Sequence, residues 1–414
     1  MSSTQGTPGN AIIGQSGGPT AVINQSAVGV IEGLREGNFP GTIFGAHHAV
    51  AGIKADDLID LTDTPQDVLD RLADTPSAGL GSSRDKPDAD YCKLILEKFK
   101  ARDIRYFFYA GGNDSSDTCR IVAEMAAEQG YDLHAVHVPK TVDNDLMVND
   151  HTPGFGSAAK FVAQAFMGDN LDNAALPGIK VNIIMGRHAG FLTAASMLGR
   201  RPPESGTTDG PHLVYVPEAA FDFDAFCTDV EATYRKLGRC LIAVSEGIHD
   251  ADGTPMAAKL AEQAGTAVEK DAHGNIQLSG SGALGDALSN AIKKYFADKG
   301  EKARVRADTF GYLQRSFVGC ASPVDQAEAR AAGHAAATHA LAGAQMGSIA
   351  IIRTSTPGPS EQYTVDYQLI DIKEVAAKTK HLPEHYIENG NNIAESFKHY
   401  ALPLVGDLPV IETL

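Results

Sequence analysis

Short apolar runs, each closing in a turn that opens a helical pattern, recur along this chain and limit its fold more than any other feature. NAIIGQSGG leads into a helix with Ile23, Ala27, Val30, Ile31 and Leu34 on one face, for which Thr20 is the expected N-cap. The apolar run 104–110 enters the turn of YAGGNDSS and a helix that ends at Gly130, where glycine accepts the left-handed cap conformation. LHAVHVPK supplies a third strand. Strands joined by helical crossovers pair in parallel, so these are βα units of an α/β fold.

The same pattern resumes after Pro153, with strands expected over 180–186, 213–218, 240–247 and 305–312 and helices over 189–198 and 224–237. A second α/β domain follows from this. The alanine-rich helix 323–342 leads to a further buried strand, GSIAIIRTS, that could return to the first sheet. The expected organisation is a first domain over 1–150 completed by about 323–360, and a second over 151–322. The segment 361–414 is expected to pack across both.

With 414 residues and 43% apolar content, the chain can bury one large core or two medium ones. A net charge of −17 with no compensating basic stripe argues against a nucleic-acid-binding surface, so any phosphate site must be locally positive. The five cysteines are odd in number, scattered and free of CxxC, which speaks against a disulfide framework or a zinc site and for a reducing compartment. MSSTQGTPGN has neither a basic region nor an apolar core, and no uncharged apolar run approaches the roughly 20 residues of a membrane span. A cytoplasmic protein is expected.

Several short motifs carry chemistry. Two glycine turns, Gly17-Gly18 and Gly111-Gly112, follow separate strands and open helices, an arrangement whose backbone N–H groups collect anions. Neither is a Walker loop or a dinucleotide fingerprint. An acidic side chain, Asp114, stands where phosphate should sit. PKTVDNDL packs Lys140, Thr141, Asp143 and Asp145 into six positions at a strand end, which suits a base acting on a hydroxyl and a second acid for metal or orientation. Arg187 in IMGRHAG stands at the mouth of a helix, where it can meet a phosphoryl group. Glu246 in SEG can accept hydrogen bonds from sugar hydroxyls. Arg306, Tyr312 and Arg315 in RADTFGYLQRS suit a phosphate monoester, and GSSR adds Arg84. Taken singly, each motif also fits a tight turn or a solvated surface charge. The histidines show no metal-binding spacing.

In their order along the chain, SGGPTAVIN, GSSR, GGNDS, PKTVDNDL, HTPGFGSAAK, IMGRHAG, SEG and FGYLQRS resemble the landmarks of the phosphofructokinase family. The tail from KHLPEHYIENGNN to YALPLVG resembles that of its pyrophosphate-using branch. The resemblance implies two Rossmann-like domains with the active site in the cleft between them. It also implies reversible transfer of a phosphoryl group from diphosphate to the 1-hydroxyl of fructose 6-phosphate. Asp143 would be the base, with Thr141 and Asp145 assisting and Lys140 and Arg187 serving the transferring group. Gly17, Gly18, Arg84, Gly111, Gly112, Asp114, Ser115 and Lys140 would bind diphosphate. Thr141, Val142, Asp143, Met185, Gly186, Arg187, Glu246, Tyr312 and Arg315 would bind the sugar phosphate, with Arg306 reaching in from a neighbouring subunit of a homodimer or larger assembly.

The loop of ATP-using relatives reads GGDGS, and Asp114 replaces the small glycine beside the nucleotide's α-phosphate. A carboxylate there repels a nucleotide but not a donor of only two phosphates. Lys140 replaces another glycine. Mg²⁺ is the implied cofactor, with Asn113, Asp114 and Asp145 as its candidate ligands, Asn113 standing where many relatives carry an aspartate. Two rivals are an ATP-dependent phosphofructokinase and a non-catalytic regulatory subunit of the same fold. Asp114 and Lys140 oppose the first, and the presence of Asp143 and Arg187 opposes the second. Use of sedoheptulose 7-phosphate stays open.

Overall fold

The computed structural model describes residues 7–202, 208–263 and 282–413, so the first six residues of the opening segment discussed above lie outside the described residues. In chain order its main strands are β1 (Asn10–Gln15), β2 (Ile43–Ala46), β3 (Leu58–Asp60), β4 (Ile104–Gly111), β5 (His134–Pro139), β6 (Ile179–Ile184), β7 (Leu213–Tyr215), β8 (Cys240–Ser245), β9 (Val305–Thr309), β10 (Met346–Arg353) and β11 (Val365–Ile370). The chain forms two compact units, Met1–Ala158 with Arg315–Lys380, and Ala159–Gln314 with His381–Leu414. The changes from one unit to the other therefore fall at 158, 314 and 380, against edges expected near 150, 322 and 360. The helix Phe155–Ala175 runs through the first change, and Pro153 lies in the turn before it.

The first unit holds a seven-stranded sheet in the order β11-β10-β5-β4-β1-β2-β3. From β10 to β2 every neighbouring pair is parallel, while β3 and β11 close the edges antiparallel. GSIAIIRTS thus returns to the first sheet beside β5, as expected. Val28, Ile31 and Leu34 of helix Ile23–Glu36 pack with Phe108, Val136 and Ala336 on one face. Ile95 and Phe99 of helix Ala89–Ala101 pack with Phe107 and Val122 on the other. Thr20 is not the N-cap of the first helix. Val22 holds that position, and Thr20 Oγ1 accepts the Val22 N–H one step earlier, at 3.3 Å.

The second unit holds a four-stranded parallel sheet in the order β7-β8-β6-β9. Phe226, Val230, Leu288, Ile292 and Phe296, from helices Phe223–Leu237 and Ala283–Asp298, pack with β-strand residues such as Val181 and Ile242. The helix expected over 189–198 is a single α-turn, Phe191–Ala195, followed by a 3-10 turn, Ser196–Gly199. The strand expected over 305–312 ends at Thr309, and Leu313–Arg315 is a 3-10 turn. No described helix is long and apolar enough to cross a membrane.

Candidate active site

Parallel strands present their carboxyl ends on one edge of a sheet, and ligands bind where neighbouring crossovers leave in opposite directions. In the first unit β1 has β2 on one side and β4 on the other, so this switch lies between β1 and β4. The two glycine turns follow these strands. The carboxyl end of β5, next to β4, carries the acidic loop.

Each turn is built for close approach. A Cβ on Gly111 would come within 2.1 Å of Ser115 Oγ, so only glycine lets the helix Asn113–Glu128 start directly off the strand. Ser115 Oγ in turn donates to Ser16 Oγ at 2.9 Å, joining the two turns. The Gly17 N–H donates to the Ser83 carbonyl at 2.9 Å and Ser82 Oγ donates to the Gly17 carbonyl at 2.6 Å, which fixes the GSSR segment against the first turn.

Lys140 follows β5. Its N–H donates to the Gly111 carbonyl at 3.0 Å, and its ammonium to the Gly18 carbonyl at 2.8 Å. Burial, then Arg315, push this ammonium down to about 7, with Asp143 opposing and Arg84 adding to the depression. A Cβ on Gly18 would lie 3.0 Å from Arg315 Cζ. Lys140, Arg315 and Arg84 therefore make a local positive field at the glycine turns of an acidic protein.

The acidic loop departs from β5 through Thr141, whose N–H donates to the Pro153 carbonyl at 3.2 Å and whose carbonyl accepts Thr152 Oγ1 at 2.8 Å. Thr141 Oγ1 accepts the Asp143 N–H at 3.2 Å, and Val142 is buried. Burial and the neighbouring Asp143 push the Asp145 carboxyl up to about 7. Asn113 Nδ2 donates to Asp145 Oδ2 at 3.3 Å, while Asn113 Oδ1 is buried without a hydrogen-bond donor among the described residues.

An orphaned amide oxygen beside a half-buried carboxylate pair fits a hard divalent cation, which takes oxygen ligands. Among the described residues no group of three or more histidine, cysteine or acidic side chains could hold a metal ion. Asp114 sits differently. Its carboxylate is 66% exposed and pairs with Lys86 Nζ at 3.0 Å.

In the second unit the strands β6 and β8 are neighbours, and the loops after them interlock. Ser245 Oγ donates to the Gly186 carbonyl at 2.6 Å, and Glu246 Oε1 accepts the Gly186 N–H at 3.4 Å. A Cβ on Gly247 would lie 2.1 Å from the Arg187 carbonyl oxygen, so the SEG glycine is required by the Met185-Gly186-Arg187 loop. Gln314 Oε1 accepts the Met185 N–H at 3.4 Å, a support signalled beforehand only by its place in FGYLQRS.

Glu218, also missed, accepts the N–H groups of Gly190 and Leu382 at 2.9 and 2.7 Å. His188 serves through its carbonyl, which accepts the His381 ring N–H at 2.7 Å. Tyr312 is 45% exposed. Arg306 is exposed on β9, the edge of this sheet, and Lys180 is taken up by Asp169 at 2.6 Å and Asp308 at 2.9 Å.

Glycine turns, a cationic cluster and a half-buried acidic pair at adjacent strand ends define an α/β phosphotransferase. Residues 10–340 match the family model described as Phosphofructokinase, and the chain belongs to the phosphofructokinase family. It is 53% identical over 96% of its length, and 94% of the relative's, to the pyrophosphate–fructose 6-phosphate 1-phosphotransferase of Rhodospirillum rubrum. It is 39% identical to the protein of the same name from Halomonas elongata, over 97% of this chain and 94% of that one. Among solved structures, the pyrophosphate-dependent phosphofructokinase of Marinobacter aquaeolei superposes with a TM-score of 0.81 at 32% identity, covering 98% of this chain and 94% of that one. Enzymes of this family generally use a divalent metal ion.

Proposed function

We propose that this chain transfers a phosphoryl group reversibly from diphosphate to the 1-hydroxyl of fructose 6-phosphate, giving fructose 1,6-bisphosphate and phosphate. The observation that carries the reading is the buried Lys140 ammonium, bonded to the Gly18 carbonyl and set among Arg315 and Arg84, at the position where the resemblance gives ATP-using relatives glycine. Cations packed this tightly in a low-dielectric site call for a compact polyanion. The neighbouring carboxylate of Asp114, paired with Lys86, opposes a longer donor.

In this reading Gly17, Gly18, Gly111, Gly112 and Ser115 present backbone and hydroxyl donors to diphosphate, and Lys140, Arg84 and Arg315 neutralise it. Asp143 accepts the proton of the attacking hydroxyl, held by its N–H on Thr141 Oγ1. Glu246, Met185, Gly186 and Arg187 meet the sugar and the transferring group, and Tyr312 meets the 6-phosphate. Arg315 also belongs to the expected 6-phosphate set, but its packing against Gly18 supports a share in holding the donor. Arg306, exposed on an edge strand, is free to serve a neighbouring subunit of a homo-oligomer. Asp145 and Asn113 would hold Mg²⁺, which shields charge on diphosphate when bound. Asp114, occupied by Lys86, has the weaker claim. Buried free cysteines support a reducing, cytoplasmic setting.

The test is the initial rate with fructose 6-phosphate and Mg²⁺, supplying diphosphate or ATP in parallel. Turnover with diphosphate alone is expected. Turnover with ATP alone would overturn the donor assignment.

A further inference from the structure

The loop 143–154 carries the acidic pair, yet it is irregular and includes two non-glycine residues with left-handed backbone, Asn144 at φ 58° and Val148 at φ 68°. Such a loop must be held from outside. Its far side is anchored to β10, since the Asp150 N–H donates to the Ile351 carbonyl at 2.8 Å and Asn149 Oδ1 accepts the Ile351 N–H at 3.0 Å. Its near side, next to Asp143 and Asp145, is held by Lys380, more than two hundred residues later in the chain.

Several hydrogen bonds tie Lys380 to this loop. Its N–H donates to the Asp145 carbonyl at 2.7 Å. Its ammonium donates to Asn144 Oδ1 at 3.1 Å and to the carbonyls of Asn149 and Asp150, both at 2.9 Å. A lysine ammonium has three donors, and three oxygens meet them. Two of these are backbone carbonyls and one is a neutral amide, an arrangement suited to a desolvated monovalent cation rather than to a surface ion pair. The charged groups around it are Asp145 and Asp150, with Asp143 and Lys140 beyond Asp145.

We propose that Lys380 is a positioning residue for phosphoryl transfer, a tethered monovalent cation that cross-links the two sides of the acidic loop and so fixes where Asp143 and Asp145 stand. The inference rests on the reading of Asp143 as the base. It predicts that loss of the ammonium misplaces the acids without touching either substrate. A displacement of about 1 Å in reacting groups costs on the order of 10²-fold in rate.

The experiment compares Lys380→Met, Lys380→Ala and Asp143→Asn with the full-length enzyme, each checked for folding by circular dichroism and thermal melting. Lys380→Met is expected to lose about tenfold or more in kcat while KM for both substrates stays within about threefold. Lys380→Ala is expected to regain part of its kcat with ammonium or methylammonium chloride, but not with choline chloride at equal ionic strength. A folded Lys380→Met with wild-type kcat, or a Lys380→Ala blind to small cations, would overturn the proposal while an inactive Asp143→Asn left the base assignment standing. An active Asp143→Asn would instead remove the reading on which it rests. Should neither lysine variant fold, Asn144→Gly decides, because it deletes one of the three oxygens and tolerates the left-handed backbone. A fall in kcat at unchanged KM supports the proposal, and wild-type kcat overturns it.

Discussion

The ammonium of Lys140 donates to the carbonyl of Gly18 at 2.8 Å, so a residue from the end of β5 closes the glycine turn that follows β1. Burial and Arg315 hold this ammonium down to about 7 in the free enzyme. A polyanion favours the charged form and raises that value, so at pH 8 diphosphate binding should draw in a proton, whereas at pH 6 the lysine is already charged. Calorimetry in buffers of differing ionisation enthalpy should show proton uptake that is larger at pH 8 than at pH 6. Lys140→Met should lose that difference and bind diphosphate at least about tenfold more weakly, as expected when a buried charge-assisted contact is removed.

Donor choice should move with the loop. Asp114→Gly combined with Lys140→Gly removes the carboxylate and the short-range cation, and measurable turnover with ATP is expected to appear as turnover with diphosphate falls. No gain with ATP would mean that other walls exclude the nucleotide.

Asp143→Asn keeps the shape of the loop but removes the base. Turnover should fall by a factor on the order of 10² or more, with little change in melting temperature. A folded variant with near-normal turnover would take Asp143 out of that role.

Gly247→Ala places a methyl 2.1 Å from the Arg187 carbonyl oxygen, a backbone atom that cannot swing aside. The Met185-Gly186-Arg187 loop must shift. A rise in KM for fructose 6-phosphate and a loss of roughly 10- to 100-fold in kcat/KM are expected, with diphosphate affinity unchanged.

His151 tests stability against pH. Burial disfavours its charged form, yet Glu328 at 2.5 Å and Asp150 at 2.9 Å outweigh burial and hold the ring up to about 9, against an ordinary 6.5. A raised histidine stabilises fully below the unfolded value and loses that contribution as pH rises through the folded one. The melting-temperature gap between the natural chain and His151→Gln should therefore be widest near pH 6 and close towards pH 9.5. A gap that widens with pH would show that the ring is neutral when folded.

Much of this was legible before folding. The strands at NAIIGQ, IRYFFYAG and CLIAVS were readable from dense apolar runs, and the glycine turns from their position after them. The expected helix over 189–198 shrank to one turn because a run of small and apolar residues there is buried on every side, so its periodicity did not fix its length. The Thr20 cap failed by two residues, a local choice of backbone angles that the residue type alone does not settle.

Alone, the sequence determined the α/β class, the family and the chemical kinds of residue at the site, because periodicity, turn chemistry and ordered motifs are local properties of the chain. The tertiary structure decided which of those residues meet. The strand order sets β1, β4 and β5 side by side, Arg315 comes to rest against Gly18, Lys86 claims Asp114, and Lys380 grips the acidic loop. These pairings join residues far apart in the chain through packing and charge, and no window of one sequence carries the distance between them.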